Sequence, residues 1–144
     1  MANKQTLTLL SVAAIIFIGF GTAPAIAATP GTWESTAEFG LFELVVTADG
    51  TGIETAKYNL SEWECGGLTQ SGQREVSWNT PRPISDGAFS VSTTYIFTEV
   101  TKLELTISGS FESESQAVGT WNAALSGEEC AAGTWEASLQ EAAP

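Results

Sequence analysis

Apolar and polar side chains alternate one for one through most of this chain. That period-two rhythm confines it to β-strands with one covered and one wet face. The clearest instance is Ala88 to Phe97, where Phe89, Val91, Thr93, Tyr95 and Phe97 oppose Ala88, Ser90, Ser92, Thr94 and Ile96. Lys102 to Phe111 repeats it, with Leu103, Leu105 and Ile107 set against Lys102, Glu104, Thr106 and Ser108. Thr32 to Phe39 puts Trp33, Ser35, Ala37 and Phe39 on one face, and Leu41 to Ala48 does the same with Phe42, Leu44 and Val46. Ala48-Asp49-Gly50-Thr51-Gly52 is a hairpin turn signal, so Ile53 to Leu60 should return antiparallel. Gln73 to Asn79, Ala117 to Ala124 and Ala132 to Leu139 complete the set. Ser61 to Gly72 reads as irregular, and Gln140 to Pro144 as a frayed tail. Thr80-Pro81-Arg82-Pro83 should be a connection or a sheet edge, because proline brings no ladder donor. No window carries a helical stripe with a cap. The expectation is an all-β fold, an antiparallel β-sandwich or closed barrel of about eight strands with one disulfide.

Gly-Thr-Trp occurs three times, at Gly31-Thr32-Trp33, Gly119-Thr120-Trp121 and Gly133-Thr134-Trp135. Glycine and tryptophan two apart share a face, and the opposite faces are polar (Thr32, Glu34 and Thr36; Thr134, Glu136 and Ser138). The indoles should therefore point inward, with glycine leaving a gap in the pleat that an aromatic ring covers. Trp78 shares a face with Val76 and reads as core. Trp63 stands apart, between Glu62 and Glu64 and two residues before Cys65. It either packs against a disulfide or serves as an exposed platform for a carbohydrate or cationic ligand, and it is the candidate ligand-binding residue.

Residues 1–27 read as a secretory signal peptide. An apolar run from Leu7 to Phe20 follows Lys4, Pro24 breaks it, and Ala25-Ile26-Ala27 gives the small-x-small cleavage pattern. The run is shorter than the roughly 20 residues of a membrane-spanning helix. The expected product is a single β-domain, residues 28–144 with an ordered core of about 31–140, secreted or periplasmic and not inserted in a membrane. All 17 acidic residues of the chain lie in it, against Lys57, Arg74, Arg82 and Lys102. A field of that sign repels nucleic-acid phosphates and anionic lipid. Two cysteines in an exported chain, Cys65 and Cys130, read as one disulfide. Closing so long a loop is worth on the order of 4 kcal/mol in the chain-entropy account.

Catalytic machinery is scarce. The chain has no histidine, which removes the usual general base, the Ser-His-Asp arrangement and the commonest metal ligand. The pairs Glu62/Glu64, Glu112/Glu114 and Glu128/Glu129 have the spacing of solvated faces and loops. Asp49 and Asp86 put oxygens in turns, a weak calcium pattern without an ordered loop motif. No metal, cofactor or catalytic residue is assigned.

The order of elements resembles a small β-domain that recurs in bacterial exported and cell-surface proteins. The residues that carry the likeness are the early Gly-Thr-Trp strand, FELVVTADGTGIETAKYNL (42–60), a cysteine, and PISDGAFSV (83–91). LTISGSFESESQAVGTWNA (105–123) and a final cysteine with GTWEASL (133–139) complete it. The resemblance implies binding or adhesion. The functional expectation is a non-enzymatic module for an unknown extracellular ligand, whether glycan, protein or cation. The alternative is a small inhibitor of a secreted enzyme that presents Thr80 to Asp86, with Arg82 held between two prolines.

Overall fold

A computed structural model describes residues 27–142, with side chains through residue 140. The signal-peptide reading of 1–27 therefore lies outside the described residues except for Ala27. Eight strands follow one another: β1 (Gly31–Ala37), β2 (Gly40–Val46), β3 (Gly52–Cys65), β4 (Leu68–Pro83), β5 (Ala88–Ile96), β6 (Lys102–Phe111), β7 (Gln116–Leu125) and β8 (Glu128–Ala142). They form one antiparallel sheet in the order β4-β3-β2-β1-β8-β7-β6-β5, curled into a nearly closed barrel. Every sequence neighbour pairs except β4 with β5, and β1 pairs with β8 instead (Trp33 opposite Leu139, Ser35 opposite Ala137). The open seam thus lies between two strands that are consecutive in the chain.

Two segments differ from the sequence reading. Ser61 to Gly72 is not irregular: β3 runs on to Cys65, Gly66-Gly67 turns with φ of 59° and 84°, and β4 starts at Leu68. The reading failed there because a register shift between Leu60 and Trp63, with Glu62 at φ 36°, breaks the alternation that marks a strand. Gln140 to Ala142 is not frayed. It extends β8, and Ala142 lies opposite Gly31 across a second irregularity at Thr32/Trp33. Pro81-Arg82-Pro83 forms the end of β4, an edge strand, as missing donors require.

An eight-stranded barrel has an interior just wide enough for side chains to fill, and aromatic rings fill this one. Trp33, Trp121 and Trp135 are 1%, 2% and 2% exposed, which places all three Gly-Thr-Trp indoles in the core. Phe39, carried in the β1–β2 turn, sits edge-on to Trp121 at 5.0 Å and against Phe42, Tyr58 and Trp63. Phe42 and Phe89 enclose Trp135 at 5.4 and 5.9 Å, and Phe111 meets Trp33 edge-on at 4.8 Å. The glycines make this possible. Trp135 lies opposite Gly119, and a methyl group on Gly119 would come 2.6 Å from Trp135 Cζ2; one on Gly133 would come 2.7 Å from Trp121 Nε1.

The disulfide Cys65–Cys130, with Cα atoms 5.3 Å apart, joins the tip of the β3–β4 hairpin to the start of β8. Those strands are not neighbours in the sheet, so the bond folds the hairpin across one rim of the barrel. Gly66 there lies against Leu125 at the end of β7.

Candidate binding seam

The residue singled out from the sequence, Trp63, is 7% exposed. It rides on the folded-over hairpin and packs edge-on against Phe39 at 6.2 Å and Trp121 at 5.8 Å. In this conformation its indole plugs the rim and faces no solvent. The neighbouring carboxylates of Glu62 and Glu64 point outward and are exposed.

The turn carboxylate weighed for calcium is already occupied. Asp49 Oδ1 accepts hydrogen bonds from Thr47 Oγ1 (2.7 Å), Thr51 Oγ1 (2.7 Å) and the Thr51 amide (3.0 Å). Donation by Thr47, then by Thr51, lowers its pKa to about 2. Three donors aimed at one oxygen build a turn. Among the described residues no group of three or more carboxylate, cysteine or histidine side chains is gathered to hold a metal ion.

Among the described residues, the two larger open grooves lie on the outer strand faces. One, of about 460 Å³, runs across β1 to β4 over Glu34, Glu43, Lys57 and Glu75, which lie opposite one another in a row. Its lining holds two cations: Lys57, whose Nζ is 3.4 Å from Glu43 Oε1, and Arg74, which borders both this groove and the seam. The other, about 480 Å³, covers Glu34, Thr36, Thr134 and Glu136 on β1 and β8. The second is a solvated polar face and the first mixes charges with Leu41, Phe42 and Tyr58; an exposed pair such as Lys57–Glu43 contributes under about 1 kcal/mol.

The seam is different in kind. Arg74, Val76 and Arg82 of β4 lie opposite Tyr58, Ala56 and Ile53, so they share the inward parity of the barrel. Without a strand beside it, β4 leaves this face half covered: Arg74, Val76 and Trp78 are each partly buried. Trp78, which reads as core in sequence, is half-buried and packs against the core from β4. Arg74 and Arg82 are the only two arginines in the chain. The Arg82 guanidinium carbon lies 5.4 Å from the Trp78 ring centre and that of Arg74 lies 5.8 Å from the Tyr95 ring centre. Among the described residues neither makes a salt bridge, in a chain with 17 carboxylates. Cation–π stacking holds each guanidinium flat; Arg74 Nη1 also donates to the Gln73 carbonyl at 2.9 Å, which leaves its other N–H groups for a ligand.

Beneath them, Tyr58 reaches from β3 to β5, its hydroxyl 3.4 Å from Thr93 Oγ1, and its ring meets Tyr95 edge-on at 6.5 Å. Burial pushes the Tyr58 phenol up to about 12, opposed by the Thr93 hydrogen bond. Burial also raises Tyr95, reinforced by Tyr58 and opposed by the Arg74 charge. The Tyr95 hydroxyl is covered and has no hydrogen-bond partner among the described residues. An aromatic floor, two presented guanidinium groups and an unpartnered donor suit an anionic group with an apolar body.

Sequence reasoning did not assemble this site. The available signal was an arginine on the apolar face of a strand, Arg74 with Val76 and Trp78. The segment Thr80 to Asp86, considered as a presented inhibitory loop, does not project: Arg82 and Pro83 pair with Ile53 and Gly52, and Arg82 lies on Trp78. Set against protein-family models, curated proteins and solved structures, the chain matches none. The likeness to bacterial exported domains therefore rests on strand and turn residues alone.

Proposed function

We propose that the protein is a non-enzymatic ligand- or surface-binding module that works outside the cytoplasm, with the β4–β5 seam as its binding surface. The observation that carries this reading is the placement of both arginines over aromatic rings at the one break in the sheet, unpaired with carboxylates. The disulfide suits an oxidising compartment. The absence of histidine and the neutral, high-pKa phenols favour binding over chemistry. Of the ligand classes open to so acidic a chain, the seam favours one that carries a carboxylate.

Chemical shifts of the oxidised, isotope-labelled domain test this against benzoate, acetate, a hexose and calcium chloride. Shifts should cluster at Arg74, Trp78 and Tyr95, be larger for benzoate than for acetate or hexose, and vanish in an Arg74→Gln/Arg82→Gln variant. Shifts confined to Glu34, Glu43 and Lys57 with none at Trp78 or Tyr95, or unchanged in that variant, would overturn the assignment.

A further inference from the structure

Among the described residues, the β5 side of the seam beyond Ala88 has no backbone pairing partner. Ala88 exchanges both of its hydrogen bonds with Ser85, on the side away from β6, and the Phe97 amide donates to Thr101 on the β6 side. Antiparallel pairs alternate in this respect. Phe89, Val91, Thr93 and Tyr95 therefore spend their N–H and C=O groups on β6, while those of Ser90, Ser92 and Thr94 face the seam. No strand pairs with them there. Natural sheets blunt such an edge with charge, proline or a bulge. β4 carries Pro81, Pro83 and two register shifts, whereas β5 (AFSVSTTYI) has no charge and no proline and pairs with β6 without irregularity. In a chain with 17 acidic residues, an uncharged edge strand opposite two arginines is a distinct local surface. Screening over about 8 Å at physiological salt leaves the seam to be governed by its own residues.

We infer that the seam accepts an extended segment of a partner protein, added as a ninth strand along β5, with carboxylates on its barrel-facing side. This rests on the seam being the binding surface. Each of Ser90, Ser92 and Thr94 offers the added strand one donor and one acceptor, the main-chain recognition of strand addition. Side chains of the segment alternate in direction, so every second one faces Arg74 and Arg82. Those two stand opposite Tyr58 and Ile53, five positions apart on β3, roughly 16 Å at 3.3 Å per residue. Carboxylates four positions apart on the added strand, about 13 Å, place one at each guanidinium within side-chain reach. At the rim where β4 begins and β5 ends, Leu68, Ile96, Phe97 and Val100 are exposed, and they suit an apolar residue at the end of the segment.

A random twelve-residue peptide library displayed on phage, selected on the oxidised domain and counter-selected on the Arg74→Gln/Arg82→Gln variant, supplies the probe. Enriched peptides should lack proline and carry two acidic residues four apart. Each single arginine variant should weaken the synthetic peptide about tenfold. Amide exchange at Ser90, Ser92 and Thr94, fast in the free domain, should slow on binding. N-methylation of alternate peptide amides should abolish binding, a control that leaves the domain unaltered. Peptides that bind through the arginines yet tolerate N-methylation and leave those amides fast would overturn strand addition while keeping the seam. The same holds if no peptide is enriched while benzoate still binds through Arg74. Loss of benzoate binding together with the peptide result removes the seam itself. Sedimentation showing a dimer with the same three amides protected, and no peptide present, would assign the edge to a second copy instead.

Discussion

Trp135 and Trp121 each occupy the space that a side chain on a facing strand would need, and the residues opposite them are glycines for that reason. Replacing Gly119 with alanine sets a methyl group against the Trp135 ring, and overpacking of that kind costs about 1–3 kcal/mol. A lower urea midpoint with an unchanged slope is the expected result. The two tyrosines make a separate test. Their phenols are raised by burial, so ultraviolet titration of the folded domain should show no phenolate near pH 10, the ordinary value. Both should ionise there once the chain is unfolded. The sign follows: this contribution to stability is complete below about pH 10 and is lost as pH rises through about 12. Asp49 behaves oppositely. Its carboxyl is held near 2 by the two threonines, so its contribution is complete above about pH 4 and disappears as pH falls toward 2. A carbon-detected titration should place its midpoint well below the ordinary aspartate value of about 4, and Thr51→Val should raise it.

At the level of the element, the β3–β4 hairpin is the part most dependent on one bond. Its tip is folded over the rim and held by Cys65–Cys130 rather than by ladder pairing to β7 or β8. Reduction should cost roughly 2–5 kcal/mol. Faster exchange should appear first at residues 61–72, with β6 and β7 unaffected until global unfolding. The same hairpin marks where sequence reading stops. Strands with unbroken alternation, such as Ala88–Ile96 and Lys102–Phe111, could be read together with their faces, because parity carries both facts at once. The bulge after Leu60 resets parity, which hid a strand and left Trp63 between two readings. The extension of β8 to Ala142 was hidden for another reason: only its partner β1, far off in the chain, makes Gln140–Ala142 a strand. The seam was illegible because it is set by which strands fail to pair. Nothing in Arg74 or Tyr95 taken singly announces a failed pairing between β4 and β5.

For the molecule as a whole, the core and the acidic exterior follow directly from alternation and composition. The site comes from topology. Closure between β1 and β8 leaves the first and last strands hydrogen-bonded side by side, with Gly31 opposite Ala142. The chain is thus already a ring in space, and its discontinuity in hydrogen bonding falls elsewhere, at the connection Ile84–Gly87. A circular permutant should exploit this. Joining Ala142 to Pro30 by a short glycine-serine linker and opening the chain between Ser85 and Asp86 would give an ordinary meander from β5 through β8 and β1 to β4, each consecutive pair adjacent in the sheet. It should fold with the same tryptophan fluorescence and the same protected amides as the parent. Unfolded permutant would mean that the Ile84–Gly87 tether, tied to Thr51 and Phe111 by backbone bonds, is what keeps the barrel curled. In the native connectivity that tether fixes the seam at one rim and Cys65–Cys130, through the Cys65–Leu68 pair, fixes the other, so reduction should let the seam wedge open toward Leu68 and Ile96.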